Sequence, residues 1–298
     1  MANRAHDNSA AGGLILVLAG AILWGTVGTA SQFLYDGTDT SPMAVALLRI
    51  ALATPLLLLV AAPALREHWR GLRPKAGTVV LGGICIALYQ TFYFQAVAVS
   101  GVTLATLTAL CPVPVLVALS ARVVLGERNR PIPWVGIIAA SAGTLLLVGA
   151  PETNAPVSQL ALGAALGLMA ALAFSGIALT GRALGERVPP LAVTAAFFTV
   201  GAVALSPVIV AVPQSIAAAF DSAGMVAFLV LVPTVVAYSL FYRGVGRTPA
   251  AVTGVLIVAE PLTAATLGFA LFDERLSAMQ IAGAALLCAA MVKAALDR

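Results

Sequence analysis

The triplets Gly126-Glu127-Arg128 and Asp273-Glu274-Arg275 each follow an apolar run, and they lie 147 residues apart. Upstream of them, Pro114 and Pro261 keep the same separation. Further pairs match with small changes of offset: Trp24-Gly25 with Phe174-Ser175, Pro42 with Pro190, and Gly136 with Gly283. The chain is therefore predicted to be built from two related halves.

The composition indicates a membrane protein. Hydrophobic residues make up 61% of the chain and charged residues 9%, whereas a soluble domain has about 25% charged residues. The apolar runs reach the length of about 20 residues that a membrane-spanning helix needs, and they lack the alternation of barrel strands. We predict an all-α integral membrane protein with ten transmembrane helices, at residues 14–34, 43–63, 76–98, 103–123, 131–149, 160–181, 190–211, 223–245, 249–272 and 277–295.

Each half contains five of the predicted spans. The halves are residues 1–150 and 151–298, and the boundary lies in the loop Pro151 to Gln159. Five crossings leave the second half inserted upside down relative to the first. Inverted repeats are typical of secondary transporters, whose binding site lies where the repeats meet near the middle of the membrane.

The basic residues predict the orientation in the membrane. With the N-terminus in the cytoplasm, the cytoplasmic side holds Arg4, Arg66, Arg70, Arg73, Lys75, Arg122, Arg128, Arg130, Arg182, Arg187, Arg243, Arg247, Lys293 and Arg298, and the outer side holds Arg275. This bias follows the positive-inside rule and predicts that both termini are cytoplasmic. The basic residues form loop-sized clusters without a basic domain, so we expect the bilayer as partner, and no nucleic acid.

Two charged residues lie within the hydrocarbon region of the predicted spans, away from the span ends. Ionisable groups in hydrocarbon cost about 3 kcal/mol or more and are functional candidates by default. Arg49 lies about 10 Å below the outer surface, at a rise of about 1.5 Å per residue from Pro42. We interpret it as a structural charge whose guanidinium reaches the interface. Glu260 lies near mid-span, and two alternatives stay open for it: binding or titration during transport, or anchoring a helix bend, paired with Arg49.

Prolines occur at matching positions of the fourth and ninth spans. Pro112 and Pro114 in the first half correspond to Pro261 in the second. Proline removes a backbone hydrogen bond and bends a helix, and bent helices in both halves indicate a transport site. The alternative is that prolines are simply frequent in membrane helices. We favour hinges or bends at these three residues.

Aromatic and amide residues give the predicted cavity its chemistry. Tyr89 and Tyr238 each begin an i, i+4 tyrosine pair, with Tyr93 and Tyr242 respectively. These rings could stack on an aromatic or cationic substrate, or they could be ordinary core residues. We predict that the deeper residues bind substrate, and these are Trp24, Tyr89, Gln90 and Tyr238 together with Glu260. Tyr93 and Tyr242 fit an interfacial aromatic belt better.

The remaining sequence features indicate no cofactor. Cys85, Cys111 and Cys288 lie within predicted spans, with neither a disulfide pattern nor metal-ligand spacing. We therefore expect no metal site and no cofactor. Clusters of small residues, such as Gly163-x-x-x-Gly167, are explained either by packing within the chain, which we favour, or by a homodimer.

The chain resembles the drug/metabolite transporter superfamily, EamA type, over essentially its whole length. The resemblance rests on ten spans in two halves, Arg49 early in the second span, Pro114 followed by Gly126-Glu127, and Glu260-Pro261 followed by Asp273-Glu274. It implies export of amino acids, including aromatic ones, through a central cavity by alternating access. One departure is that Val113 stands where the second half has Glu260, so any proton coupling would depend on one acid.

The sequence thus predicts a secondary transporter of the bacterial inner membrane that exports amino acids or similar small metabolites. An exporter of cationic drugs on the same fold is the alternative. An intramembrane enzyme is the alternative from another class, but neither a His-Glu-x-x-His nor a Gly-x-Ser-x-Gly motif is present. No nucleotide-binding Gly-x-x-x-x-Gly-Lys loop is present either, so we expect no ATP-driven transport and no enzymatic activity.

Overall fold

The computed structural model describes residues 2–124, 134–148, 156–185, 188–245, 248, 250–272 and 277–296. These parts of the chain are helical and contain no β-strand. The α-helices are α1 Ala2–Gly37, α2 Pro42–Leu72, α3 Ala76–Leu110, α4 Val113–Val124, α5 Trp134–Val148, α6 Val157–Gly185, α7 Pro190–Leu205, α8 Val208–Ala211, α9 Pro213–Ala219, α10 Ala223–Val230, α11 Ala237–Val245, α12 Ala250–Leu256, α13 Ala259–Phe272 and α14 Ala278–Leu296.

Three short segments of other helical types complete the described chain. Turns of 3-10 helix occupy Arg73–Lys75 and Phe220–Ser222. A π-helical segment, Leu231–Val236, joins α10 to α11 and contains the buried Pro233. The π segment is a break in the regular α pattern that hydropathy did not indicate.

Among the described residues, five helical stretches are long and apolar enough to cross a membrane. They are Gly12–Gly37, Pro42–Ser100, Val157–Leu184, Pro190–Ala211 and Pro213–Gly244. The predicted all-helical class is confirmed for the described residues. The physical reason is that a bilayer requires each backbone N–H and C=O group to be hydrogen-bonded within its own segment. The count of ten spans stays a prediction, and the triplets 126–128 and 273–275 lie outside the described residues.

Helix α3 is longer than the hydropathy pattern predicts. The predicted connection between the third and fourth spans, residues 99–102, is helical, and the break comes later at Cys111 and Pro112. A single Ser100-Gly101 step lowers helix propensity by only about 1 kcal/mol, which packing overcomes. Pro112 has no N–H to donate, and the helix ends just before it.

The chain divides into two compact units, which we call the first unit and the second unit. The first unit comprises Met1–Thr29, Ile132–Gly149 and Val232–Arg298, and the second comprises Ala30–Pro131 and Ala150–Leu231. Each unit therefore draws on both sequence halves. The division into repeats at residue 150 stays a prediction, because a repeat in sequence and a unit of packing are different properties.

In the second unit, α3 packs along α6, and α2 and α3 both pack on α7. Gly83 of α3 lies where a Cβ atom would be 2.3 Å from Cβ of Val200 and 2.9 Å from the carbonyl oxygen of Phe197. Phe197 is almost fully buried, with 2% of its surface exposed. Such close approach through small residues is how helices associate in lipid, where burial from water supplies no driving force between them.

In the first unit, α5 packs along α14, and α12 also contacts α14. Leu147, Val258 and Leu287 form one buried cluster there. A second cluster contains Val17 of α1, Phe241 of α11 and Leu256 of α12, with Trp24 packed against it. This second cluster holds α1 beside α11, which carries Tyr238, and beside α12.

We predict that Gly83→Ala destabilises the protein by about 1–3 kcal/mol, the usual cost of overpacking a filled core. Gly77 on the same helix is the matched control, because no atom lies within 4 Å of its Cβ position. Gly77→Ala should leave stability unchanged or raise it, by up to about 1 kcal/mol, through helix propensity. Thermal unfolding of the purified variants in micelles measures both, and equal effects would contradict the packing of α3 on α7.

Candidate functional site

A cluster of aromatic rings surrounds Trp24 in the first unit. The Trp24 ring lies edge-on to Tyr238, with 4.9 Å between ring centroids, and 4.6 Å from Phe241. Tyr238 in turn stacks on Tyr242 at 6.0 Å. The sequence-based pairing of Tyr238 and Tyr242 on one face is thus seen in the structure, and the indole of Trp24 packs against that face.

The indole N–H of Trp24 is buried and donates no hydrogen bond to any residue that the structure describes. The hydroxyl of Ser239, next to Tyr238 in the chain, is in the same condition. A buried polar group without a partner costs about 1–3 kcal/mol. Such groups in a native fold call for an explanation, and an acceptor supplied by a ligand is one.

Glu260 is held close to Trp24 by the crossing of α1 and α13. A Cβ atom on Gly25 would lie 2.5 Å from the carbonyl oxygen of Glu260 and 2.5 Å from Cβ of Thr263. Only glycine allows this approach without displacement of a backbone. Gly25 follows Trp24 directly, so the backbone of Glu260 contacts α1 at the residue next to Trp24.

The helix that carries Glu260 is interrupted just before it. Helix α12 ends at Leu256 and α13 begins at Ala259. Across the break, backbone hydrogen bonds span three residues instead of the four of an α-helix. The Val258 N–H donates to the Val255 carbonyl at 3.2 Å, and the Glu260 N–H donates to the Ile257 carbonyl at 3.0 Å. Glu260 therefore lies in the first turn of α13, where the helix dipole and N–H groups favour a negative charge.

The second unit contains a similar ring arrangement. Tyr89 stacks on Tyr93 with 5.9 Å between centroids and meets Phe174 edge-on at 5.5 Å. The Tyr93 hydroxyl is 3.3 Å from Oγ1 of Thr106. Gln90 is buried, with 5% of its surface exposed.

The two arrangements correspond under the sequence repeat, since Trp24 aligns with Phe174. In both, a ring from the first helix of one repeat, Trp24 on α1 or Phe174 on α6, meets a tyrosine pair that belongs to the other repeat.

The prolines singled out in the sequence lie at two breaks of the same kind. Pro112 falls in the interruption between α3 and α4, and Pro114 is the second residue of α4. Pro261 is the third residue of α13 and follows the interruption between α12 and α13. The positions of the breaks agree with the sequence pattern, and their action as hinges stays a prediction.

The structure therefore places the predicted site residues in two groups. Trp24, Tyr238 and the backbone of Glu260 come together in the first unit, while Tyr89 and Gln90 belong to the second unit. Arg49 also belongs to the second unit, where it is buried. Among the described residues, no group of three His, Cys, Asp or Glu side chains could hold a metal ion.

Sequence reasoning missed four residues of interest. Phe174 enters the sequence pattern only through the alignment of the repeats, and the pattern does not single out Ser31, Tyr35 or Ser239. Ser31 and Tyr35 are one helical turn apart in α1, a spacing that places two hydroxyls on one face. That spacing was the available signal.

Comparison with known proteins decides the family. The model of the EamA-like transporter family matches this chain twice, over residues 11–149 and 161–294. The chain belongs to the EamA-like transporter family. The two matches also confirm that it contains two EamA repeats. A multi-pass membrane transporter follows from this membership and from the apolar helices.

Two relatives are similar over nearly their whole length. The "Uncharacterized transporter YwfM" of Bacillus subtilis is 29% identical over 273 residues, covering 92% of this chain and 90% of the relative. An "Uncharacterized transporter" of Archaeoglobus fulgidus is 27% identical over 264 residues, covering 88% of this chain and 91% of the relative. A solved crystal structure shares the fold, with a TM-score of 0.71 at 21% identity, over 95% of this chain and 97% of that chain.

We predict that Gly25→Ala moves α1 away from α13 and exposes Trp24. Gly28 is the matched control, since no atom lies within 4 Å of its Cβ position. The measurement is tryptophan fluorescence in a variant with the other two tryptophans, Trp69 and Trp134, replaced by phenylalanine. Gly25→Ala should shift the emission of Trp24 to longer wavelength and Gly28→Ala should not. Identical spectra from both variants would refute the close crossing.

Proposed function

We propose that this protein is a secondary transporter that exports amino acids, including aromatic ones, or similar small metabolites across the bacterial inner membrane by alternating access. One observation supports this most directly: the Trp24 ring against Tyr238, with an indole N–H that lacks an acceptor among the described residues. An aromatic surface with an available donor suits a substrate that has both an apolar side chain and a polar head.

The proposal includes a topology of ten spans in two inverted repeats, with both termini in the cytoplasm. The positive-inside bias of the loops supports this orientation. The two family matches support the division into two repeats. The described helices are compatible with it, since the stretch Pro42–Ser100, 59 residues long, has the length of two crossings.

Glu260 is proposed to bind the ammonium group of the substrate. It lies in the first turn of α13, where the helix dipole favours a negative charge, and its backbone lies beside Gly25, next to Trp24. A charge-assisted hydrogen bond between a carboxylate and an ammonium is about twice as strong as a neutral one. The interruptions before Pro114 and Pro261 are proposed to allow the bending that alternating access requires.

Export of cationic drugs is a second candidate, and the same cluster supports it. An acidic side chain and aromatic ring faces attract an organic cation through ion pairing and cation–π contact. An amino acid differs from such a drug by its carboxylate, so competition between the two kinds of substrate separates the candidates. Proton antiport and uncoupled efflux are both compatible with a single acid. Residues for catalysis were not indicated by the sequence, and the family membership favours transport over an enzyme.

The test is uptake by purified protein in liposomes, with labelled aromatic, aliphatic and charged amino acids and with an organic cation as competitor. We expect saturable uptake of aromatic amino acids. Trp24→Ala should lower the saturable uptake of aromatic amino acids about three- to tenfold, the effect expected from the loss of one aromatic contact with the substrate. Trp69→Ala is the control, since 61% of the Trp69 surface is exposed. Uptake of the cation alone would favour the drug exporter, and no saturable uptake would refute both.

We also predict that Glu260→Gln lowers amino-acid uptake about tenfold or more, because it removes a charged hydrogen bond to the ammonium. The control is Glu67→Gln, at an exposed position. Initial rates at several substrate concentrations, with and without a pH gradient, separate binding from coupling. Unchanged rates with an unchanged response to the gradient would exclude both roles for Glu260.

A further inference from the structure

The last turns of α2 carry a row of basic residues on one exposed side. Arg66, Arg70 and Arg73 are spaced i, i+4 and i+7, and Trp69 lies between them at i+3. Residues at these spacings share one side of a helix. The helical register continues through Arg73, because its backbone is α-helical and its N–H bonds the Trp69 carbonyl. All four side chains are exposed, so they form one surface, which we call the basic face.

The basic face keeps a net positive charge. The sequence from Pro42 to Lys75 contains one acidic residue, Glu67, which lies about 100° around the helix from Arg66. Residues 66–73 therefore carry a net charge of +2, three arginines less one glutamate. Arg66 and Arg70 are also four residues apart, and like charges at that spacing destabilise a helix. An anionic partner would remove this repulsion.

Lys75, the next basic residue in the chain, is already engaged within the second unit. Its ammonium group donates a hydrogen bond to the Ala183 carbonyl, in the last turn of α6. A cation at the C-terminal end of a helix is favoured by the helix dipole. The bond ties the 3-10 turn Arg73–Lys75 to α6, so it holds the end of the basic face in place. Lys75 itself is not part of that face.

An apolar strip runs along α2 directly into the basic face. Leu52 and Leu59 lie fourteen and seven residues before Arg66, which places all three within about 40° on one side of the helix. Leu52 is 38% exposed and Leu59 is 73% exposed. The same side of α2 thus offers hydrocarbon contact first and positive charge after it. A phospholipid has acyl chains and a phosphate in that order, whereas a free phosphate ion has no use for the apolar strip.

The depth of the basic face agrees with the head-group layer of a bilayer. Helix α2 begins at Pro42, and at a rise of about 1.5 Å per residue Arg66 lies about 36 Å and Trp69 about 40 Å along it. The hydrocarbon core is about 30 Å thick, and head groups add several Å on each side. Tryptophan is enriched at that level, and 61% of the Trp69 surface is exposed. Arg70 and Arg73 lie slightly further out, within reach of the head groups through their long side chains.

We propose that the basic face binds the phosphate groups of anionic phospholipids, with Trp69 anchored among the head groups and Leu59 against the acyl chains. Basic clusters next to a membrane-spanning helix attract anionic lipid, and the guanidinium fork fits phosphate oxygens. The proposal requires that α2 crosses the membrane, and the assignment to the inner leaflet rests on the orientation proposed above. It does not depend on what the protein transports, and it predicts no effect on uptake in liposomes of neutral lipid.

The experiment measures quenching of Trp69 fluorescence by brominated lipids, in full-length protein reconstituted into phosphatidylcholine bilayers. The chain has three tryptophans, and the Trp69 emission is the part that Trp69→Phe removes. Bromine quenches tryptophan only at short range, so brominated phosphatidylglycerol and brominated phosphatidylcholine, at equal mole fractions, report which lipid lies beside Trp69. We expect phosphatidylglycerol to be preferred at least about tenfold. The preference should fall as salt is added, because salt screens exposed charges.

Three variants test the arginines. Arg66→Gln, Arg70→Gln and Arg73→Gln should each lower the preference for phosphatidylglycerol about three- to fivefold, without loss of folding, since exposed positions tolerate substitution. Arg243→Gln is the matched control, because Arg243 is an exposed arginine at the end of α11 and its loss changes the net charge equally. The control should keep the preference. An equal effect of all four substitutions would reduce the preference to the net charge of the protein and overturn the basic face.

The remaining outcomes identify the occupant and separate this inference from the proposed function. Equal quenching by the two brominated lipids would overturn the proposal. So would inorganic phosphate that abolishes the preference at constant ionic strength, because a soluble anion would then be the ligand. A preference for phosphatidylglycerol without amino-acid uptake in liposomes would keep the lipid site and refute the proposed function. Uptake without any lipid preference would do the reverse.

Discussion

Close approach of helix backbones through small residues is the constraint on which the rest of this structure depends. In lipid, apolar side chains gain little by leaving one hydrocarbon environment for another, so helices associate through van der Waals contact and polar bonds. Gly83 against Val200 and Gly25 against Glu260 are two such contacts. The second also bears on the candidate site, because it brings the backbone of Glu260 beside the helix that carries Trp24.

Each packing unit combines helices from both repeats. The ring clusters likewise contain rings from both repeats. Trp24 of the first repeat meets Tyr238 of the second, and Phe174 of the second meets Tyr89 of the first. Equivalent residues have diverged in polarity, since the indole carries an N–H that the phenyl ring lacks. In the ring cluster around Tyr89, the buried Gln90 is the next residue in the chain. Two clusters of similar geometry thus carry different polar groups.

Hydropathy and repeat spacing predicted the helical class, the paired helix breaks and the contacting faces of the tyrosine pairs. They could not predict that α3 continues to Leu110, because a run that is apolar on all sides contains no signal for its own end. They also could not predict that Gly25 meets the backbone of Glu260, because a single sequence without its fold gives no distance between α1 and α13. The binding roles of Trp24, Tyr89, Gln90, Tyr238 and Glu260 stay predictions.

The π segment Leu231–Val236 has a consequence for the ancestry of the two repeats. From Pro190 to Tyr238 the second repeat is one residue longer than the first repeat from Pro42 to Tyr89. A π turn holds one residue more than the α turn that it replaces. An inserted residue can therefore be absorbed within the helix, and the helix beyond it keeps its rotation. In this way Tyr238 and Tyr242 can stay on the face that meets Trp24 despite a difference in length between the repeats.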